Sequence, residues 1–248
     1  MIKFFRKIRQ NLLMENKTSK YFKYAIGEII LVVIGILIAL QINNWNEDRK
    51  IRKAEKELFQ NILTDLRFDE NRIKNYILQY KKDQVMFHLI YQETIGISKN
   101  DSMIDFTTIR AAIPFDLIIE SNYSNSTKDM LNKHISKSIK HYFTVESLVF
   151  DAFVNVQRFK EDQLKPYFLK HGMNDTKELY DNYQLNYFEL RKKHIFSYSK
   201  LKKQYGTVEL DQLLFESGIK ISWALTALND ILKANSDLQL ELKNELSK

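Results

Sequence analysis

Hydrophobic positions divide the chain into one continuous apolar run and several segments with helical spacing. Residues 25–42 read AIGEIILVVIGILIALQI, and twelve of these eighteen residues are Ile, Leu or Val. An α-helix of this length spans about 27 Å, close to the hydrocarbon thickness of a bilayer. Because the run is apolar on every face, it predicts a transmembrane helix rather than the core helix of a soluble protein.

Insertion of this run into lipid is expected although it contains one carboxylate. The aliphatic residues favour insertion by roughly 6 kcal/mol, whereas Glu28 opposes it by up to about 3 kcal/mol. No convincing small-x-small cleavage site follows the run, which favours a retained signal anchor over a cleaved signal peptide. Tyr21 and Tyr24 before the run, and Trp45 after it, are typical interfacial anchors.

The remaining sequence predicts long helices. After Gly35 the next Gly or Pro is Gly96, and a stripe of residues three and four positions apart predicts a helix over 46–94. Apart from Asp69, the stripe is apolar: Ile51, Ala54, Leu58, Ile62, Leu66, Asp69, Ile73, Ile77 and Tyr80. Further helices are expected over 126–170, from an N-cap at Ser126, over 175–204 and over 208–246. The predicted fold is all-α: one transmembrane helix, then an antiparallel bundle of about four main helices.

Basic residues concentrate before the apolar run. Residues 1–24 contain seven Lys or Arg and one Glu, which gives this segment a net charge of +6. The whole chain has a formal net charge of +7, so the rest of the chain has a net charge of +1. A nearly neutral remainder argues against nucleic-acid binding. Lys3, Arg6, Lys7 and Arg9 surround an apolar face in the first thirteen residues. That pattern fits either a helix on an anionic membrane surface or a simple topology signal.

Three regions follow from this pattern. They are a basic cytoplasmic juxtamembrane segment at 1–24, a transmembrane signal anchor at 25–42 and a helical domain at 46–248. The excess of Lys and Arg before the run places the N-terminus in the cytoplasm and the helical domain on the exported side.

The N-terminal sequence resembles a widespread family of uncharacterised membrane proteins from Bacteroidota. The resemblance lies in the opening MIKFFRKIR, the YAIGEI at 24–29, the VVIGILIALQINNWNE at 32–47 and the charged helix that follows. It is specific over residues 1–50 and looser beyond, where a Lys-Pro-Tyr stands at 165–167. The resemblance implies a Gram-negative inner membrane and a periplasmic domain. It implies no activity and no catalytic residues.

The residue types required for catalysis or metal binding form no recognisable motif. The chain contains no Cys, which removes disulfides and thiolate sites. His134 and His141 could share one helical face, but neither His-Glu-x-x-His nor Glu-x-x-His occurs. We therefore predict no catalytic residues, no metal site and no cofactor.

Three residues within the predicted span are candidates of interest. Glu28 is either a functional intramembrane carboxylate or a side chain that extends toward the headgroups. Gly35 and Ala39 form a small-xxx-small pair that could let two helices approach, although such pairs are common in spanning helices.

The sequence favours a non-enzymatic role at the membrane. The expected partners are the lipid bilayer and either another protein or a second copy of the chain. We predict a scaffold or accessory interaction protein of the cell envelope. The alternative is a periplasmic small-ligand sensor that signals through a partner, and an enzyme is the third hypothesis.

Overall fold

The computed structural model describes residues 18–97, 104–128, 130–190 and 195–248. The chain divides into two compact units, Met1–Glu57 and Leu58–Lys248. Helix α1, Thr18–Thr94, contributes residues to both units. The described residues form helices and turns, with one isolated β-bridge between Asn174 and Phe196. The all-α class is thereby confirmed.

The first unit contains the apolar part of α1. Its most apolar 18-residue window has a mean hydropathy of 2.6, and none of that window is buried in the structure. The helix is therefore long and apolar enough to cross a membrane, by its length and composition.

The second unit is built on three long helices. These are the Leu58–Thr94 part of α1, α3 at Lys133–Phe159 and α8 at Val208–Leu246. The short helix α2, Ile118–Tyr123, lies between α1 and α3 in the chain. Four further short helices separate α3 from α8: α4 at Lys165–Lys170, α5 at Thr176–Asp181, α6 at Tyr187–Leu190 and α7 at Tyr198–Lys202.

Contacts between side chains give the directions of the three long helices. Tyr142 bonds to Asp69 near the start of α3, and Lys160 bonds to Asp83 just beyond its end, so α1 and α3 run parallel. Asn235, in the second half of α8, bonds to the carbonyl of Leu66. The first half of α8 lines a groove with Gln84 and Tyr91 of α1, so α8 runs antiparallel to both.

Apolar stripes on the long helices form the core as their spacing predicts. From the predicted stripe of α1, Ile62, Leu66, Ile73, Ile77 and Tyr80 are buried, whereas Ile51 and Ala54 are exposed. From α8, the buried core residues include Leu210, Ile221, Leu225, Leu228, Leu238 and Leu242. On α3, Val149, Ala152 and Val156 are buried, whereas Leu148 lies on the exposed side of that helix.

A π-helical turn, Lys160–Leu164, joins α3 to α4 without a break. It keeps Lys160 and Leu164 buried, and Pro166 stands in the first turn of α4 where its missing N–H is tolerated. Gly172 follows with a φ of +62°, as expected of a glycine after a helix end.

Two predicted elements differ in the structure. The described residues of the region 175–204 form three short helices instead of one long helix, and Asp175 caps the first of them by accepting from Glu178 N at 3.0 Å. Helix α3 begins at Lys133 rather than after Ser126, because the side chain of Asn132 accepts from Ile135 N at 3.1 Å and caps the helix there.

Candidate functional site

A buried hydrogen-bond network connects the three long helices around Asp69. This carboxylate is fully buried and accepts from Arg72 Nε at 2.8 Å and from Tyr142 Oη at 2.7 Å. Asn235 Nδ2 donates to Tyr142 Oη at 3.3 Å and to the carbonyl of Leu66 at 3.0 Å. Asp69 therefore pairs with Arg72 on its own helix, and its hydrogen bond from Tyr142 connects α1 to α3. The network holds one turn of each long helix in register.

Glu146 on α3 is a second buried carboxylate. Its two oxygens accept from Ile119 N at 3.1 Å and from Glu120 N at 2.8 Å, at the start of α2. Burial raises the pKa of Glu146 to about 7. The two backbone hydrogen bonds and Arg72 act in the opposite direction, and Asp69 adds to the rise. Sequence reasoning missed this residue, although it stands at a core position, three residues after Phe143 and three before Val149.

A buried ion pair lies at the π-helical turn. Lys160 Nζ donates to Asp83 Oδ2 at 2.6 Å and to the carbonyls of Thr108 and Ala111 at 3.1 and 2.8 Å. Asp83 Oδ1 is buried with no hydrogen-bond partner. The three hydrogen bonds of Lys160 tie α1, the 104–117 segment and the π-helical turn together. The sequence offered one indication of this buried ion pair, namely that Lys160 directly follows Phe159, which is a core residue.

A carboxylate also accepts from two phenols near the end of α1. Tyr198 and Tyr205 both donate to Glu93 Oε2, the latter at 2.7 Å. Burial and this shared carboxylate raise the pKa of Tyr205 far above its usual range. The arrangement fixes α7 and the turn after it against α1.

An open groove runs between α1 and α8. It encloses about 500 Å³, and its apolar lining includes Phe87, Tyr91, Leu214 and Phe215. The remaining lining residues are Gln84, His88, Asp211, Gln212, Gly218, Ile221 and Ser222. The volume lies within the range of small-molecule sites, and apolar and polar side chains both line the groove.

The histidines of the described part occupy separate places. His88 lines the α1–α8 groove, while His134 and His141 line a groove between α3 and α8. His134 Nε2 lies 3.7 Å from Glu241 Oε2, and His171 lies 3.3 Å from Glu209 Oε2. His134 and His141 thus share a face, as their spacing suggested. Within the described residues, no group of three potential metal ligands is found.

The candidate residues of the span lie on α1. Gly35 and Ala39 are exposed, and a Cβ added to Gly35 would meet no atom within 4 Å. Glu28 is half-buried and Trp45 is exposed. Tyr21 and Tyr24 belong to the same helix, but their side chains lie outside the described part. Lys3, Arg6, Lys7 and Arg9 also lie outside the described residues.

Comparison with known families agrees with part of the resemblance. The model of a family of unknown function (DUF6090) matches residues 28–112, from the second turn of the apolar run through the rest of α1 to the segment after it. The chain is therefore similar to an uncharacterised family over about 85 residues. No curated protein and no solved structure matches the sequence.

Proposed function

We propose that this chain is a membrane-anchored helical protein that acts without catalysis, as a scaffold or accessory interaction protein of the cell envelope. One observation carries the proposal: no residue of the 18-residue apolar window of α1 is buried, and the same helix continues into the packed second unit. An exposed apolar surface of that extent is stable in lipid and costly in water.

The proposed topology follows the distribution of basic residues. Residues 1–24 lie in the cytoplasm, residues 25–42 cross the inner membrane and the second unit lies in the periplasm. The charge excess of the N-terminal segment supports this orientation, since basic flanks are retained on the cytoplasmic side.

The partners of the buried charged groups support a structural rather than a chemical role. Asp69 is engaged by Arg72 and Tyr142, Lys160 by Asp83 and two carbonyls, and Glu146 by two backbone N–H groups. Each of these groups joins different helices, so its hydrogen bonds serve the packing of the bundle.

Carbonate extraction of membranes from expressing cells tests the anchor. We expect the full chain to stay in the membrane pellet. The Leu31→Arg/Leu37→Arg double variant should move to the supernatant, since each Arg costs about 3 kcal/mol near the bilayer centre. Leu78→Arg is the matched control, because Leu78 is an exposed apolar residue of the same helix outside the apolar run.

Two results would contradict the anchor: release of the unmodified chain by carbonate, or a mature N-terminus beyond Gln41. Orientation is tested separately, since the chain lacks cysteine. An impermeant maleimide should label Tyr183→Cys and not Asn16→Cys in cells with a permeabilised outer membrane. The reverse pattern would invert the topology.

The interaction role is tested by native electrophoresis after extraction in mild detergent. We expect the chain to migrate in an assembly larger than one copy. A single monomeric species under several mild conditions would refute a scaffold role.

The α1–α8 groove favours ligand sensing as a second candidate. A ligand that fills this groove would contact two long helices at once, and one of them is the helix that carries the apolar run. Sensing predicts that a bound small molecule raises the melting temperature of the full chain. Gly218→Phe, which would narrow the groove, should abolish that rise, and a rise that persists in this variant would place the ligand elsewhere.

A further inference from the structure

We propose that two copies of this chain associate through the outward face of α8. The proposal deepens the interaction role given above, because it names the partner as a second copy. The surface concerned, here called the α8 seam, consists of Val208, Gln212, Phe215, Ile219, Ser222 and Thr226, with Trp223 beside it.

The spacing of the α8 seam is that of a helix-pairing surface. Its members alternate by four and three residues over five steps, the spacing at which one face of a helix meets another helix. The stripe lies on the side of α8 away from core residues such as Leu210 and Leu228. Gln212, Phe215 and Ser222 also line the edge of the α1–α8 groove. The sequence of α8 therefore contains two pairing faces, and the bundle uses one of them.

The apolar members of the seam are strongly exposed among the described residues. Val208 is 77%, Phe215 62%, Ile219 56% and Trp223 41% exposed. With about 200 Å² for an aromatic side chain and somewhat less for an aliphatic one, they offer roughly 400 Å² of apolar surface per copy. An apolar patch of a few hundred Å² on a soluble surface is often functional.

The area fits a second copy. Two seams facing each other cover about 800 Å² of apolar surface, and the polar atoms of Gln212, Ser222 and Thr226 add to this. The total is close to the 1,000 Å² or so that a specific interface requires. An interface of this size is weak between freely diffusing molecules. Two chains held in one membrane meet at a much higher effective concentration, which would favour the pairing.

The charge pattern also fits self-association. The seam carries no charged side chain, so two identical seams place no like charges in direct opposition. Glu216, at its edge, is already paired with Lys220 at 3.4 Å. Farther along α8 the outward face is polar at Lys233, Ser236 and Asp237, and its exposed large apolar residue there is Leu240.

Crosslinking of the full chain in membranes tests the proposal. Ile219 lies near the middle of the seam, so it stands close to its counterpart in either relative orientation of the two helices. We expect Ile219→Cys to give a dimer of this chain with a short bismaleimide, and Leu240→Cys to give little. Leu240 is a matched control because it is 60% exposed on the same helix outside the seam.

A second substitution separates pairing from accidental proximity. Phe215→Asp in the Ile219→Cys background should abolish the crosslinked dimer, whereas Leu240→Asp in that background should leave it unchanged. An unchanged thermal unfolding midpoint shows that both variants are folded. The proposal is overturned if the two cysteine positions crosslink equally, if neither does, or if the Ile219→Cys variant crosslinks to a different protein.

The outcomes distinguish this proposal from the proposed function. If carbonate releases the chain but the Ile219→Cys variant still forms the dimer in detergent, the membrane anchor is refuted and pairing through the α8 seam is supported. If the chain resists carbonate and forms a larger native assembly, but the Ile219→Cys dimer is absent, the scaffold role is supported and pairing through the α8 seam is refuted.

Discussion

The pH dependence of stability is expected to depend on Glu146. Its pKa is about 7 in the folded chain, against an ordinary value of 4.5, because burial disfavours its charged form. The folded state therefore holds this proton more tightly than the unfolded state. A group of this kind contributes stability that is fully present below pH 4.5 and is lost as the pH rises through 7.

The magnitude follows from the size of the shift. One pKa unit corresponds to about 1.4 kcal/mol, so ionisation of Glu146 should cost about 3 kcal/mol between pH 4.5 and pH 8. The Glu146→Gln variant cannot ionise and lacks this component. We expect its free energy of unfolding, relative to the unmodified chain, to rise by about that amount over the same interval.

Denaturant unfolding of the full chain in a nonionic detergent, followed by the fluorescence of Trp223 and Trp45, measures this difference. Using the difference between two variants removes the titration of all other groups. Asp151→Asn is the control, because Asp151 is exposed on the same helix. A constant difference between the Glu146→Gln variant and the unmodified chain from pH 5 to pH 8 would refute the assigned pKa shift.

Three further substitutions test the packing, each read as a shift in the thermal unfolding midpoint. Lys160→Met leaves Asp83 charged and buried, so we expect a loss of about 3–5 kcal/mol, most of it recovered in the Lys160→Met/Asp83→Leu double variant. Asn235→Leu removes the donor to the carbonyl of Leu66 and should cost about 1–3 kcal/mol. Gly172→Ala places a side chain at a φ of +62° and should cost about 1–2 kcal/mol.

Comparison variants give each of these results a clear meaning. Gly218→Ala should stabilise the chain by about 1 kcal/mol, because Gly218 is helical and an added Cβ meets no atom within 4 Å. An equal loss at both glycines would refute the backbone argument. If the double variant at Lys160 and Asp83 were no more stable than Lys160→Met alone, the loss would not come from the unpaired charge.

Long apolar stripes made most of the fold predictable. The apolar stripe of α1 continues from Ile51 to Tyr80 without Gly or Pro. In α1 and α8 the structure buries many of the positions that the spacing selects, such as Ile62, Ile73, Leu228 and Leu242. Local signals also sufficed where one side chain decides a boundary, as with Asp175 at the start of α5 and Gly172 after α4.

The region 175–204 was not predictable in the same way. It contains no Gly or Pro, so a single-sequence pattern favours one long helix. Its described helices are held instead by contacts with distant residues, including the bonds from Tyr198 and Tyr205 to Glu93 and the bridge between Asn174 and Phe196. Such contacts depend on the packed fold and leave no periodic trace.

The candidate sites were harder to predict from the sequence than the helices, because each site depends on contacts between residues of different helices. Asp69 could be recognised as a polar residue within an apolar stripe, and the structure makes it the centre of a network. Asp83 and Lys160 are 77 residues apart, and no local pattern relates them. The α8 seam, by contrast, was present in the sequence as a second stripe, but the stronger core stripe of the same helix concealed it.

The π-helical turn at Lys160–Leu164 has a consequence for insertions and deletions. A π-helix turns less per residue than an α-helix. Over the five residues of this turn, the side chains therefore rotate less about the helix axis, by roughly the angle of one α-helical residue. Removing one exposed residue there, such as Asp162, would leave Leu164 and Phe168 pointing inward, with Pro166 as the break in the α-helical hydrogen bonds. A deletion at Asp151 would instead turn every later side chain of α3 by about 100°. The chain can therefore change its length at this turn and not within α3.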